Sequence, residues 1–442
     1  MERERTLEAV KIGLLGLGTV GSGVVRVLSR NNEEIARRAG RAINIVRAAT
    51  RDLSVRRDCD LGGIALTDRA QDVIDDPEID IVVELIGGTG IAREMVIRAI
   101  DQSKHVVTAN KALIALHGNE IFARASERGV TVAFEAAVGG GIPVIKAIRE
   151  ALAGNRIEWL AGIINGTGNF ILSEMRDKGR DFEDVLSEAQ SLGYAEADPT
   201  FDVEGIDAAH KLTILASIAF GIPLQFDKVY TEGITRITRE DVQYAAELGY
   251  RIKHLGIARR REHGIELRVH PTLIPHRRLI ANVDGVMNAV LVRADAVGPT
   301  LYYGPGAGAE PTASAVVADL VDVTRALTVD PNNRVPHLAF QPDALIDVPV
   351  LDIGEAVTAY YLHLRVQDKP GVLAEITRIL GDSSISIEAV LQRPPEEDAS
   401  DAAIVIVTAP IRESNMDEAI RRIQDLETTS EHVTRIRLEN LK

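Results

Sequence analysis

Cysteine is nearly absent. Cys59 stands alone among 442 residues, so no disulfide can form within the chain, as suits a reducing compartment. A Cys-rich zinc cluster is excluded for the same reason. Aromatic residues make up only 4%, with one tryptophan, Trp159, too few for a platform that stacks single-stranded bases. Positive charge is in deficit. Fifty Lys and Arg against 65 Asp and Glu leave a formal net charge of −15, which speaks against nucleic acid as a partner, although a local site can still be basic. No apolar run is long enough to span a bilayer. The opening MERERTLEAV has no apolar signal core, so a cytoplasmic protein without a membrane partner is expected.

What is present is aliphatic. Hydrophobic residues reach 45%, enough for large cores, and the length suggests roughly three domains. Residues 10–15, 43–49, 79–85, 105–109 and 130–134 read as buried strands, separated by helical patterns at 19–30, 91–102 and 112–128. Strands alternating with helices predict a parallel α/β sheet covered on both faces, a Rossmann-type nucleotide-binding domain over 1–135. From 136 to 310 the pattern changes. Helices are expected at 143–152, 182–192 and 203–220, then strand-like segments after 250, which predicts an α+β domain on a mixed sheet. A helix at about 311–328 is expected to pack back onto the first domain. Residues 329–356 read as a linker rich in proline at its start. Residues 357–442 follow the order β-α-β-β-α-β of a ferredoxin-like fold, with a polar loop at 393–401.

Gly16-Leu17-Gly18-Thr19-Val20-Gly21 is a G-x-G-x-x-G between an expected strand and helix. That context makes it a dinucleotide site: the glycines permit a tight turn and close approach, and the helix N-terminus offers N–H groups to the pyrophosphate. The alternative is an ordinary strand–helix turn. The end of the second strand selects the cofactor. Arg51 can pair with a 2′-phosphate, which favours NADP; Asp52 would serve NAD if the strand ended one residue later. Arg56 and Arg57 would add positive charge if that loop folds back.

Residues 193–211, GYAEADPTFDVEGIDAAHK, are dense in carboxylates and end in a lysine. Asp207 and Lys211 are four apart and share a helix face. A surface ion pair is the plain alternative. The apolar LTILASIAF that follows turns this end toward the interior, where carboxylates beside a lysine suit a zwitterionic substrate.

GLGTVG, TANKALIA (108–115), EAAVGGGIP (135–143), GIINGTGNFIL (162–172), the 193–211 segment and GPGAG (304–308) together resemble the signature segments of homoserine dehydrogenases, in that order, over the first 330 residues. The resemblance implies an enzyme that interconverts L-aspartate 4-semialdehyde and L-homoserine with NADP or NAD, in threonine, methionine and isoleucine biosynthesis. It implies Lys211 as the acid–base residue, Glu196 and Asp207 as holders of homoserine, and Asp202 as a supporting carboxylate. Lys111 would lie near nicotinamide and substrate, with Gly193 and Gly308 closing around the cofactor. It also implies a sodium ion on backbone oxygens of Glu135, Val138, Gly140 and Ile142, where the residues alone suggest a domain-junction turn. The middle domain would form a homodimer or tetramer.

YYLHLRVQDKPG (360–371) followed by VLAEITRIL is similar to the opening of an ACT domain, with Asp368–Gly371 as its ligand-side turn. Family analogy makes L-threonine the effector; a purely oligomerising module is the alternative. Rival enzymes fit less well. An aspartate-semialdehyde dehydrogenase needs a nucleophilic thiol, and Cys59 follows the second strand, far from the carboxylates. A prephenate or hydroxyacid dehydrogenase needs a catalytic histidine, and His210 points off the Lys211 face. A non-catalytic amino-acid sensor would not need Glu196, Asp207 and Lys211 together.

Overall fold

The computed structural model describes residues 8–393 and 401–442; the expected polar loop at 394–400 lies outside them. Packing divides the chain into two compact units, each made of three stretches. The first comprises 1–160, 210–227 and 287–348, the second 161–209, 228–286 and 349–442.

The first unit carries a six-stranded sheet, ordered Ala65–Thr67, Ile43–Ala49, Val10–Leu15, Ile81–Glu84, His105–Thr108, Val132–Ala133. Every pairing in it is parallel. This is the doubly wound order of dinucleotide-binding sheets. The central strands are buried apart from Lys11, with Ile12, Leu14 and Val83 inaccessible, as aliphatic runs require. The expected strand at 130–134 shrinks to two residues. The edge strand Ala65–Thr67 was not legible, because three residues carry no period. The helix expected at 311–328 is Ala309–Ala326, and it packs on Thr19–Arg30 so closely that a Cβ at Gly23 would lie 2.6 Å from the Ala309 carbonyl oxygen. Residues expected to form a helix at 143–152 instead make one α-turn, Val144–Lys146, followed by a π-turn, Ala147–Ala151.

The stretch 329–348 has only short 3₁₀ turns, yet it is fastened to this unit. Arg334 donates to the Gly129 carbonyl, and the His337 ring accepts the Val132 N–H. Beside it the His105 Nδ1 accepts the N–H of Thr131, and burial with nearby Arg334 lowers that imidazole to about 4.

In the second unit, helices Gly166–Lys178, Phe182–Ser191 and Arg239–Glu247 accompany a long antiparallel pair, Tyr250–Arg260 with Ile265–Pro275. Arg239–Glu247 was missed, although its start is a capping box between Thr238 and Asp241. The helix expected at 203–220 is broken. A turn Thr200–Val203 ends at Gly205, whose φ of 82° favours glycine, and Ile206–Phe220 begins anew.

The C-terminal elements are Val357–Gln367, Val372–Asp382, Ile387–Gln392, Asp401–Thr408, Glu413–Gln424 and Thr434–Leu438, the expected βαββαβ. One sheet face packs Tyr360, Leu362 and Leu364 on Ile376, Leu380 and Ile423 of its own helices. The other packs Tyr361, Val405 and Ile436 with Ile171, Val242 and Ile252 of the same unit. Both faces are therefore covered along YYLHLRV, whose two polar residues are paired, His363 with Asp241 and Arg365 with Glu240. Its last strand also pairs in parallel with Ile265–Pro275, Thr272 opposite Arg437 and Leu273 opposite Leu438. No helix among the described residues is long and apolar enough to cross a membrane.

Candidate functional site

The glycine-rich turn has the form a dinucleotide requires. Gly16 adopts φ 104°, and a Cβ there would lie 2.6 Å from the Leu85 carbonyl oxygen; one at Gly21 would lie 2.1 Å from the oxygen of Gly16. Leu17 is buried, whereas Gly18 and Thr19 are exposed at the helix start. No side chain caps that start, which leaves its N–H groups to a phosphate.

The loop after Ile43–Ala49 folds back. The Arg57 guanidinium donates to the Leu17 carbonyl at 3.0 Å, to the Thr50 hydroxyl at 2.8 Å and to the Asp52 carbonyl at 2.9 Å. Asp52 turns its carboxylate to the amide and hydroxyl of Ser54, which hold it below the usual carboxylate range. Arg51 is exposed. The cation the structure ties to the glycine-rich turn is therefore Arg57, which the sequence named only as auxiliary.

At the carboxyl end of the neighbouring strands, buried Glu84 accepts the N–H groups of Ile86 and Gly87 and the Thr108 hydroxyl. Asn110 donates to the Gly88 carbonyl and caps the helix that begins at Lys111 by accepting from Leu113. This fixes the position of Lys111. The segment TANK pointed here; Glu84 was missed, because one acid in an aliphatic strand carries no motif.

The turns at Glu135–Ile142 and Gly304–Gly308 meet. A Cβ at Gly140 would lie 2.5 Å from the Gly306 oxygen, and Gly141 donates to the Pro305 carbonyl. Gly139 and Gly140 both have positive φ. The Glu135 carbonyl accepts from Val138 and that of Ile142 from Val144. The Glu135 side chain accepts from Ile145 and Lys146. Burial and nearby Asp319 push its carboxyl up to about 7. Gly308 has φ 122° and opens Ala309–Ala326. No group of three or more metal-ligating side chains exists among the described residues.

In the second unit the carboxylates are organised by an unforeseen residue. The Asn165 Nδ2 donates to Asp202 at 2.7 Å and to Asp207 at 2.8 Å, while its Oδ1 accepts the Gly168 N–H as the cap of Gly166–Lys178. Asn before GTG is a legible cap signal; its grip on two acids 37 and 42 residues away is not. Asp207 is buried and Asp202 half-buried. Lys211, one turn beyond Asp207 on the same helix, is 8% exposed. Gly193, with φ 75°, and Glu196 lie on an exposed loop, where the Glu196 carbonyl accepts from Gln190. The structure thus joins Asp202 and Asp207 through Asn165, and leaves the Glu196 side chain in solvent. His210 stacks on Phe226 at 4.3 Å.

Comparison with known proteins covers most of the chain. Residues 16–135 match the family model of the homoserine dehydrogenase NAD-binding domain, 143–321 that of homoserine dehydrogenase, and 360–428 the ACT domain. A homoserine dehydrogenase of Pseudomonas aeruginosa is 65% identical over 98% of this chain and all of its own. The crystal structure of one from Thiobacillus denitrificans superposes with a TM-score of 0.93, at 66% identity, covering 98% of this chain and 99% of that one. A hyperthermophilic archaeal homoserine dehydrogenase in complex with NADPH matches at TM-score 0.61 and 26% identity, over 72% of this chain and 98% of its own.

Proposed function

The chain belongs to the homoserine dehydrogenase family, whose nucleotide-binding domain takes a nicotinamide dinucleotide, and from that premise we propose how its residues divide the work. Residues 1–135 hold the dinucleotide, 136–310 hold L-homoserine, and 357–442 regulate. The dinucleotide, when bound, exchanges a hydride with C4 of the substrate. Lys211 takes the hydroxyl proton in oxidation and returns it to the aldehyde oxygen of L-aspartate 4-semialdehyde in reduction. A lysine with little solvent around it suits that task, since its ammonium can carry and donate a proton beside the reacting oxygen. Asp207 and Glu196 bind the substrate's polar ends, and Asp202 supports Asp207 through Asn165. Lys111, fixed by Asn110, adds a cation beside the reacting centre. Gly193 and Gly308 close around the cofactor.

We propose NADP as the preferred dinucleotide. The observation that carries this is Arg57, fastened to Leu17 and Thr50 at the turn, while Asp52 is occupied by Ser54. Arg51, exposed beside it, is free to fold onto a 2′-phosphate. The carbonyl oxygens of Glu135, Val138, Gly140 and Ile142 would hold sodium; a turn with two left-handed glycines can gather carbonyls on one side, and two of these four already accept one hydrogen bond each. L-threonine is proposed as the effector of the ACT domain, and a homodimer or tetramer in the cytoplasm as the working form.

The deciding experiment is dinucleotide reduction by the purified chain with L-homoserine, beside Lys211→Ala. Turnover by the parent and none by the variant, with NADPH affinity nearly intact, is expected. An unchanged kcat in the variant excludes Lys211 as the acid–base group.

A further inference from the structure

A cavity of about 560 Å³ opens within the second unit, where the last ACT helix and strand face the loop that leads to Asp207. Its size lies in the range of small-molecule sites. Glu204, Glu232 and Arg236 line one side, and Asp417, Arg421 and Arg435 the other. Pro271, Ile237 and Ile420 supply apolar surface. The turn Asp368–Gly371 does not contribute to it.

The charges in this cavity are not all spent on one another. Glu232 accepts from Arg437 at 2.8 Å and from the Tyr230 hydroxyl at 2.9 Å. Asp417 pairs with Arg435. Three groups remain. Glu204 accepts only the Thr235 hydroxyl, at 3.0 Å, and among the described residues it has no cationic partner. Arg236 and Arg421 are exposed, and among the described residues neither pairs with a carboxylate. The unspent charge is thus two guanidiniums and one carboxylate. The complement of that set carries two anionic groups and one ammonium.

We infer that this cavity binds an acidic α-amino acid, its two carboxylates on Arg236 and Arg421 and its ammonium on Glu204. Guanidinium–carboxylate pairing supplies most of the affinity, and the ammonium contact separates amino acids from plain dicarboxylates. Occupancy reaches the substrate carboxylates directly. Glu204 lies between Asp202 and Asp207 in the chain. The adjoining Gly205 sits against the His254 ring, where a Cβ would approach to 2.9 Å. His254 Nε2 in turn donates to the Glu232 carbonyl at 2.9 Å. A ligand drawn onto Glu204 therefore shifts the start of the Asp207 helix and changes the KM for homoserine. This kinetic consequence rests on the homoserine dehydrogenase reading; binding itself does not.

The test is isothermal titration calorimetry of the full chain with L-aspartate, succinate and L-threonine, on the parent, Arg236→Gln and Arg421→Gln, with circular dichroism confirming the fold of both variants. Expected is saturable L-aspartate binding, weakened at least about tenfold in each variant, and comparably weaker binding of succinate. It should persist with L-homoserine saturating. No L-aspartate heat, equal affinity in parent and variants, equal affinity for succinate, or displacement by homoserine would each overturn the inference. In the kinetic arm, L-aspartate should move the homoserine KM of the parent and not that of Arg421→Gln. A chain that binds L-aspartate as described but never turns over homoserine fails the functional reading and leaves this site standing.

Discussion

Asn165 gives the sharpest test of how the carboxylates are held. Its one side chain caps a helix through Oδ1 and bonds Asp202 and Asp207 through Nδ2, and two substitutions separate these roles. Asn165→Ser keeps a good capping residue but is too short to reach both acids; Asn165→Ala loses everything. A lost cap costs about 1 kcal/mol. A hydrogen bond to a charged group is worth about 1.5–3 kcal/mol, with the lower end apt for half-exposed Asp202. The serine variant should therefore lose about 3–4.5 kcal/mol and the alanine variant about 4–5.5 kcal/mol, both read as shifts in the urea midpoint at constant slope. Deprived of the Asn165 hydrogen bond, Asp207 should shift from the position proposed for substrate binding, and kcat/KM for homoserine should fall about 100-fold in both, as for an ångström-scale misplacement. If both variants keep parental kcat/KM, Asn165 does not position Asp207. If the serine variant is as stable as the parent, the two carboxylate bonds contribute nothing to the fold.

Other perturbations have outcomes that follow from single contacts. Arg57→Ala should raise the KM for NADPH more than that for NADH, and equal changes would refute a role in cofactor choice. Gly21→Ala places a methyl 2.1 Å from the Gly16 oxygen, so it should abolish dinucleotide binding measured by fluorescence; retained affinity would show that the turn relaxes. His105 has a folded-state pKa near 4 against 6.5 unfolded, so the unfolded chain takes up its proton first and the contribution to stability declines as pH falls from about 6.5 to 4. That decline is at most about 3 kcal/mol, and His105→Gln, which still offers an acceptor to Thr131, should flatten the slope of stability with pH. An identical slope in the variant would rule His105 out.

Much of this was legible from pattern. The parallel sheet followed from aliphatic runs, the glycine-rich turn from its strand–helix context, and the βαββαβ order from alternation. What escaped has a physical reason in each case. Ala65–Thr67 is too short to show a period. Gly205 breaks a helix whose composition reads as continuous. Glu84 and Asn165 act through partners distant in the chain, and no spacing encodes such contacts. Arg51 and Arg57 are alike in composition; only the path of the loop chooses which one reaches Leu17. Glu196 lies on an exposed loop, and no spacing in the segment encodes that exposure.

The parallel pairing of the last strand with Ile265–Pro275 bears on how such a chain can be dismantled. A domain that senses is commonly imagined as a cartridge, removable without harm to the engine. Here removal would strip a neighbour from a fully buried strand and bare its amide edge to other chains. It would also take Glu439 from Arg268, 1% exposed, leaving Arg259, Arg261 and Arg268 to share Glu266. Truncation before residue 357 should therefore yield aggregates rather than a deregulated enzyme. Desensitised variants are better sought by point substitution on the module's surface than with scissors.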